Sequence, residues 1–402
     1  MSRSRGRGLF FGIAVAASGI AIFAQVYAAQ GLLPPIAAEM RIAPSTAAIT
    51  MSATMLGIAA GAIPWAILSE QIGRIPVLRL CMLAAAILSI ASAFSPDFTT
   101  LVVLRLLTGI AVGGLPGLVV SLITEQASPG LVVRMFGVYI GGTTLGGLSG
   151  RVLGSLIGET WGWRPGLAAA GVVSALCAGV FLVWTARASS RGASAHLVER
   201  GSMRRIWRPA LLALYAQAAL LMGSFISILN YLPFHATRAP IDVPPELVFL
   251  FFFAHLASWP ATPITEALVA RVGDRGALLA LQGGMLLGFA CTLVDHLAFL
   301  SVGLALLSVG FFGAHATASR MTAEAAGASR ALASAVYVIC YYLGASVFGW
   351  FSGIVFERAD WGAMVLADAA LIVVAAAILA AWAVLHERRR PKPAREDEPL
   401  PE

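Results

Sequence analysis

The chain has 402 residues, of which 59% are hydrophobic and 12% are charged, and its formal net charge at pH 7 is +7. Soluble globular proteins carry roughly 25% charged residues, so this composition excludes an ordinary soluble protein and favours a lipid-facing surface. The basic residues lie in the predicted loops rather than in one patch, which argues against nucleic acid as a partner.

Apolar runs predict twelve membrane-spanning helices, since a span needs about 20 apolar residues. The predicted spans cover 9–31, 46–69, 77–95, 99–121, 132–157, 164–186, 209–232, 246–270, 277–294, 297–318, 332–356 and 362–385. The first run follows Arg3, Arg5 and Arg7, as a signal peptide would. It is long, however, and ends in a turn at Pro34-Pro35 without a small-residue cleavage site, so we interpret it as a span.

The distribution of basic residues predicts which side of the membrane each loop faces. Cytoplasmic loops are enriched in Lys and Arg. With the N terminus inside, 21 of the 27 basic residues fall on the cytoplasmic side, four fall outside, and two, Arg105 and Arg151, lie within spans. We therefore expect a multi-pass protein of the cytoplasmic (inner) membrane with both termini in the cytoplasm.

An internal repeat divides the chain at an offset of about 200 residues. Gly141–Gly150 matches Gly344–Gly353 at four of ten positions, and Trp161-Gly162 matches Trp361-Gly362. Such a repeat is typical of transporters built from two related halves. It predicts an all-α membrane fold of two six-helix bundles, related by a pseudo-two-fold axis, around a central cavity. The expected parts are the bundles 1–186 and 209–386, a basic cytoplasmic linker 187–208 and a charged cytoplasmic tail 387–402.

The turn between spans 2 and 3 reads Ser69-Glu70-Gln71-Ile72-Gly73-Arg74. An acid and an arginine in a tight turn can form a charge-assisted pair. Glu125 and Arg134, on either side of the turn after span 4, are placed to join them. The alternative is a solvated turn that only carries cytoplasmic positive charge.

This turn resembles the signature loop of the major facilitator superfamily, a Gly, an Asp and then Gly-Arg-Lys. The chain keeps Gly73 and Arg74 but has Ala66 for the first Gly, Glu70 for the Asp and Ile75 for the Lys. The resemblance implies that Glu70, Gly73, Arg74, Glu125 and Arg134 form a latch between the two halves on the cytoplasmic side.

Span 4 contains the sequence Arg105-Leu106-Leu107-Thr108-Gly109, which resembles the Arg-x-x-x-Gly signature of the same family. A charge inside the bilayer costs several kcal/mol unless it has a partner or faces water. The resemblance implies that Arg105 couples proton movement to transport. The alternative is an arginine whose long side chain reaches the membrane interface.

Small residues recur along span 5, at Gly137, Gly141, Gly142, Gly146, Ser149 and Gly150. The run resembles the family's antiporter motif, with glycines where that motif has prolines. Small residues four apart also let two helices approach closely, and this packing explains the run without antiport.

Isolated polar residues inside the spans are the remaining candidates. His255 lies near the middle of predicted span 8, where an imidazole can titrate near neutral pH, so we predict a role in proton coupling beside the alternative of a neutral, hydrogen-bonded histidine. His315 is interpreted as an interface or gate residue, and Asp368 as structural. The predicted cavity residues are Gln25, Tyr27, Gln30, Gln217, Asn230 and Tyr342.

Together the motifs identify the chain as resembling the twelve-helix drug:proton antiporter-like branch of the superfamily, and within it the YnfM-type bacterial inner-membrane transport proteins. The resemblance implies a monomeric secondary transporter in the lipid bilayer that exports small organic molecules by alternating access, driven by protons. Span 1 contains no Asp or Glu, and a cavity with Arg105, with Arg151 as a further candidate, and few acids would repel a cation. Both points favour neutral or anionic substrates. We expect no cofactor, no catalytic residues and no metal site.

Other functions remain open at this stage. A proton-coupled symporter or importer of a metabolite would share the same motifs. A membrane-embedded enzyme would need a cluster of reactive groups at one membrane face, and the sequence has no H-E-x-x-H and no G-x-S-x-G motif. A channel or receptor module fits poorly with the repeat and the latch motif.

Overall fold

A computed structural model of the chain describes residues 2–185 and 205–387. Those residues form α-helices and 3-10 helices without any β-strand. Nearly all of the predicted linker 187–208 and tail 387–402 lies outside the described residues. Within these two described ranges, nine helical stretches are long and apolar enough to cross a membrane, or ten when one bent pair is counted as a span.

Each predicted span has a helical counterpart. The N-terminal half (2–185) comprises α1 (Ser2–Tyr27), a 3-10 helix (Ala28–Leu32), α2 (Leu33–Met40), α3 (Pro44–Ile72), α4 (Arg74–Ser92), α5 (Phe98–Gly113), α6 (Leu115–Gln126), α7 (Pro129–Trp161) and α8 (Trp163–Thr185). The C-terminal half (205–387) comprises α9 (Pro209–Ala236), a 3-10 helix (Pro245–Ser258), α10 (Ala261–Thr292), α11 (Leu297–Ala326), a 3-10 turn (Gly327–Ser329), α12 (Arg330–Arg358) and α13 (Trp361–Glu387).

The first predicted span ends differently from the expectation. Pro34-Pro35 was expected to form a turn, but both prolines lie at the start of α2. The first helical turn tolerates proline because its N–H groups have no partner within the helix. The chain reverses instead at Arg41, which ends α2 in a left-handed conformation with φ 53°.

Predicted span 8 is also irregular. Its first part is a 3-10 helix over Pro245–Ser258 rather than an α-helix, and α10 begins only at Ala261. Pro260 lies at this junction and has no N–H to donate to a continuous helix. A second break follows at Gly273, whose φ of 69° interrupts α10 and separates the residues of predicted spans 8 and 9.

Helix packing is densest within each half. In the N-terminal half α1 packs on α7 and α3 on α5, and in the C-terminal half α9 packs on α12 and α10 on α11. Two contacts dominate between the halves. Helix α3 packs on α12, and α7 packs on the Pro245–Ser258 3-10 helix. The space between the halves is therefore bounded by these two contacts.

The glycines of α7 let it lie directly on α1. Every fourth residue from Gly142 to Gly154 faces backbone atoms of α1 or of the 3-10 helix that follows it, at Ala16, Ile20, Ala24 and Ala28. A Cβ atom added at Gly150 would lie 2.1 Å from the carbonyl oxygen of Ala24. By contrast, a Cβ atom added at Gly137 or at Gly141 would have no such neighbour within 4 Å. We call the contact of Gly142, Gly146, Gly150 and Gly154 with α1 the glycine ladder.

We predict that Gly150→Ala destabilises the protein by about 1–3 kcal/mol, the usual cost of forcing an extra methyl group into a filled space. Gly141→Ala on the same helix is the matched control and should behave as wild type. The thermal unfolding midpoint of purified protein, with the yield of monodisperse protein, measures the effect. Equal midpoints for the two variants would show that the ladder does not require glycine.

Candidate functional site

A cavity of about 240 Å³ lies between the two halves. Its wall is mostly apolar and aromatic, with a few polar groups, as is usual for small-molecule sites. The N-terminal half contributes Phe23, Tyr27, Pro116, Thr143, Thr144, Gly147 and Arg151. The C-terminal half contributes Met222, Phe225, Ile226, His255, Phe311, Phe312, His315, Val338, Tyr341 and Tyr342.

Arg151 supplies a positive charge to this wall. Its side chain is 1% exposed. Its Nε donates a hydrogen bond to Oε1 of Gln30 at 2.6 Å, and its Nη1 donates to the carbonyl of Gly147 at 3.1 Å. The guanidinium carbon lies 3.9 Å from the centre of the Tyr27 ring, in cation–π contact. Within residues 2–185 and 205–387, none of the ion pairs involves Arg151.

Aromatic rings form the opposite wall. Phe225 and Phe311 stack with centroids 4.1 Å apart and planes 5° from parallel. Phe312 packs edge-on against Phe311 at 5.2 Å, and His255 lies edge-on to Phe312 at the same separation. Tyr341 extends this surface from α12. The wall therefore presents flat apolar faces to whatever fills the cavity.

In the part of the chain that the structure describes, two hydrogen bonds connect the halves directly. Nε2 of Gln30 donates to Oδ1 of Asn230 at 2.7 Å, and both side chains are buried. The backbone N–H of Ser45 donates to Oε1 of Glu357. These residues lie at one end of the spans, and the turns at Gly73 and Gly273 lie at the other end. We call the end with the two hydrogen bonds the distal face and the end with the two turns the terminal face.

At the terminal face, the ion pairs stay within each half. Arg74 pairs with Glu125 in the N-terminal half, and Arg320 pairs with Asp274 in the C-terminal half. Gly73 and Gly273, beside these pairs, both have positive φ, at 90° and 69°. Among the described residues, no ion pair or side-chain hydrogen bond joins the halves at this face. Glu70 and Arg134, the other predicted members of the latch, are exposed.

The structure places Arg105 away from the cavity wall. It is fully buried and donates to the carbonyl oxygens of Gln25 at 2.9 Å and Val26 at 3.0 Å. Helix α1 ends at Tyr27, and the carbonyls of a last helical turn lack partners within their helix. A cation there also faces the negative end of the helix dipole. Arg105 therefore caps the C terminus of α1.

The predicted cavity residues fall into three groups. Tyr27 and Tyr342 line the cavity, and Gln30 and Asn230 form the hydrogen bond between the halves. Gln25 instead bonds through its side chain to the carbonyl of Ala21 in its own helix. Gln217 lies inside the C-terminal half, where it donates to the carbonyl of Ala375 and accepts from Gln282.

The other singled-out residues also have definite positions. His255 lies on the cavity wall, as does His315, which is within 3.1 Å of the Tyr337 hydroxyl. Asp368 is fully buried inside the C-terminal half and accepts a hydrogen bond from Ser352 at 2.7 Å. The sequence singled out Arg151 as a second charge within a span and as a candidate to join Arg105 in the cavity. The available signal was an arginine one residue after the glycine run of span 5.

Comparison with known proteins agrees with this architecture. The family model of the Major Facilitator Superfamily matches residues 9–257 and 244–402. The "Uncharacterized MFS-type transporter YybF" of Bacillus subtilis is 30% identical, over 86% of each chain. The "Inner membrane transport protein YnfM" of Escherichia coli is 29% identical, over 90% of this chain and 88% of that protein.

Solved structures show the same fold. A bacterial homolog of the human lysosomal transporter Spinster, described as inward-facing and unoccupied, aligns with a TM-score of 0.77 over 96% of this chain and 99% of that one, at 17% identity. The nucleoside transporter NupG aligns with a TM-score of 0.72 over 93% and 98%, at 14% identity. The predicted all-α membrane fold is therefore confirmed.

We predict that Arg105→Ala lowers stability by about 1.5–3 kcal/mol, the usual contribution of hydrogen bonds to a charged group. Arg105→Lys should recover part of the loss because an ammonium lacks the planar pair of donors. Arg358→Ala, which removes an exposed arginine, is the control and should leave the unfolding midpoint unchanged. An unchanged midpoint in Arg105→Ala would mean that α1 does not depend on this cap.

Proposed function

We propose that this chain, which belongs to the major facilitator superfamily and is a membrane transporter of that type, exports small organic molecules in exchange for protons. Its relatives are transporters, so the enzyme, channel and receptor interpretations are set aside. The cycle that we propose is alternating access, in which the bundles 1–186 and 209–386 move against each other and expose the cavity to one side at a time.

The observation that carries alternating access is the one-sided distribution of bonds around the cavity. Gln30–Asn230 and Ser45–Glu357 join the halves at the distal face. At the terminal face, the charged groups pair within their own halves. This arrangement supports a cavity that communicates with the terminal face while the distal face is closed. In the proposed cycle the distal bonds break as the terminal face closes.

For the terminal face we propose a cytoplasmic orientation, from the excess of basic residues in its loops. The protein would then lie in the inner membrane with both termini in the cytoplasm, as a monomer. The similarity to a protein named as an inner membrane transport protein supports this location. The predicted latch of Glu70, Gly73, Arg74, Glu125 and Arg134 would then act on the cytoplasmic side, with Arg74 and Glu125 as its paired members.

Proton coupling is proposed for His255 and Arg105. His255 is 8% exposed and lines the same cavity as Arg151. Protonation of His255 would therefore change the net charge that a substrate meets in the cavity. Arg105 would act from α5 by holding the end of α1, which carries Tyr27 into the cavity. The antiport direction rests on the resemblance of the span 5 glycine run to an antiporter motif.

The test of coupling is flux in vesicles with an imposed pH gradient. We predict that His255→Gln abolishes gradient-driven accumulation but retains exchange of labelled for unlabelled substrate, because exchange needs no net proton movement. Gln217→Ala, inside the C-terminal half, is the matched control. Gradient-driven accumulation at the wild-type level in His255→Gln would remove this residue from the proposal. Accumulation of the substrate on the side toward which protons flow would favour the symporter.

We predict that Asn230→Ala shifts the protein toward opening of the distal face. The lost hydrogen bond is worth about 0.5–1.5 kcal/mol, so the population of the open form should rise about two- to tenfold. The substitution Ser52→Cys, at a position buried beside Gly349 of α12, reports this opening after the four native cysteines are replaced by alanine.

The measurement is the rate at which this cysteine reacts with a membrane-impermeant maleimide. Gln217→Ala again serves as the control, since it removes a buried amide that bonds within one half. Equal reaction rates in Asn230→Ala and in the parent protein would show that the Gln30–Asn230 bond does not hold the distal face closed.

A further inference from the structure

We propose that the cavity binds a small aromatic carboxylate, with the carboxylate on Arg151 and the ring on the aromatic wall. This inference rests on the proposed transport function and specifies its substrate class. It follows from the charge, the hydrogen-bonding capacity and the shape of the cavity.

The charge of the cavity favours an anion. Arg151 is 1% exposed and has no carboxylate partner among the described residues. A buried charge is costly unless it is paired. The cavity wall contains Arg151 and two histidines but neither Asp nor Glu. A cationic substrate would therefore meet only like or neutral charge, whereas an anion supplies the missing partner.

Arg151 also has hydrogen-bonding capacity to spare. A guanidinium has five N–H donors. Gln30 and the carbonyl of Gly147 accept from two of them, and the Tyr27 side chain also interacts with the group. Both acceptors are neutral. The planar arrangement of guanidinium donors matches the two oxygens of a carboxylate. The side chain is held in place by the Tyr27 ring, so it is already ordered for such a ligand.

The shape of the cavity favours a flat ring of modest size. Phe225 and Phe311 lie nearly parallel, and Phe312 stands edge-on to Phe311. Aromatic rings prefer offset-stacked or edge-to-face neighbours, so a substrate ring can continue this arrangement. The volume of about 240 Å³ is below the roughly 300–1,000 Å³ of drug-sized ligand pockets. One or two fused rings fit this description better than an extended chain.

Binding of the carboxylate would also act on the distal face. Arg151 donates to the same Gln30 side chain that bonds to Asn230 of the other half. A carboxylate on the free donors draws the guanidinium toward the ligand and away from Gln30, because a charged acceptor makes the stronger hydrogen bond. Release of Gln30 loosens its position relative to Asn230. Substrate occupancy is thereby connected to the contact that closes the distal face.

The experiment compares matched probes on the purified full chain. Benzoate, benzamide and benzylamine share a ring and carry negative, zero and positive charge, and cyclohexanecarboxylate keeps the charge without the aromatic ring. Isothermal titration measures each affinity. We expect benzoate to bind about 30-fold or more tightly than benzamide, as for a buried charge pair that loses one partner. We expect no binding of benzylamine and weaker binding of cyclohexanecarboxylate.

Variants assign the preference to Arg151. Arg151→Gln should abolish the difference between benzoate and benzamide, and Arg151→Lys should retain part of it. Arg358→Gln, the loss of an exposed arginine, should bind as wild type. Equal affinities for benzoate and benzamide in the wild type, a full preference in Arg151→Gln, or no saturable binding of benzoate would each overturn the proposal.

The Ser52→Cys variant, in the background without native cysteines, separates this proposal from the transport proposal. Benzoate should raise its maleimide reactivity in the parent protein but not in Arg151→Gln. If Asn230→Ala raises the reactivity while benzoate does not, alternating access stands and the substrate class fails. If neither changes it, the alternating-access proposal itself fails.

Discussion

A short series of hydrogen bonds from Arg151 through Gln30 to Asn230 connects the cavity to the contact between the halves. Within a membrane, water is scarce and polar groups must find partners inside the protein. Arg151 meets this requirement with neutral acceptors, so its charge remains available to a ligand. The same requirement places Gln30 between the two halves. One side chain, Gln30, therefore bonds both to an arginine of the cavity wall and to the other half.

The position of this contact agrees with the internal repeat. Gln30 and Asn230 are separated by 200 residues, which matches the repeat offset. Equivalent residues meet each other near a two-fold axis, so the bond lies where a pseudo-two-fold axis would pass. The terminal face carries a related pattern, because Arg74–Glu125 and Asp274–Arg320 occupy similar places with opposite polarity. The position after the glycine of the turn therefore carries a positive charge in one half and a negative charge in the other, and each is paired within its own half.

Much of the fold was predictable because span length and apolar composition are local properties. Helix breaks were harder to predict. Pro34-Pro35 was expected to form a turn, yet the two prolines lie at the start of α2, because the N–H groups of a first helical turn have no partner within the helix. The sites were less predictable. Depth along a span identified both Arg105 and Arg151 as intramembrane charges, but it does not reveal which neighbour each side chain meets. Arg105 bonds to the end of α1, whereas Arg151 reaches the cavity.

The glycine ladder has a mechanical consequence. Helices whose backbones touch, as α1 and α7 do along Gly142–Gly154, have no side chains between them at these contacts, so we expect the two helices to tilt together as a rigid pair. Helix α7 has 33 residues and is about 50 Å long at 1.5 Å per residue. Tilting such a rod by about 10° moves one end relative to the other by about 9 Å at that length. A small change in the tilt of α7 beside Arg151 can thus displace the end of the helix by a distance comparable to the width of a substrate molecule.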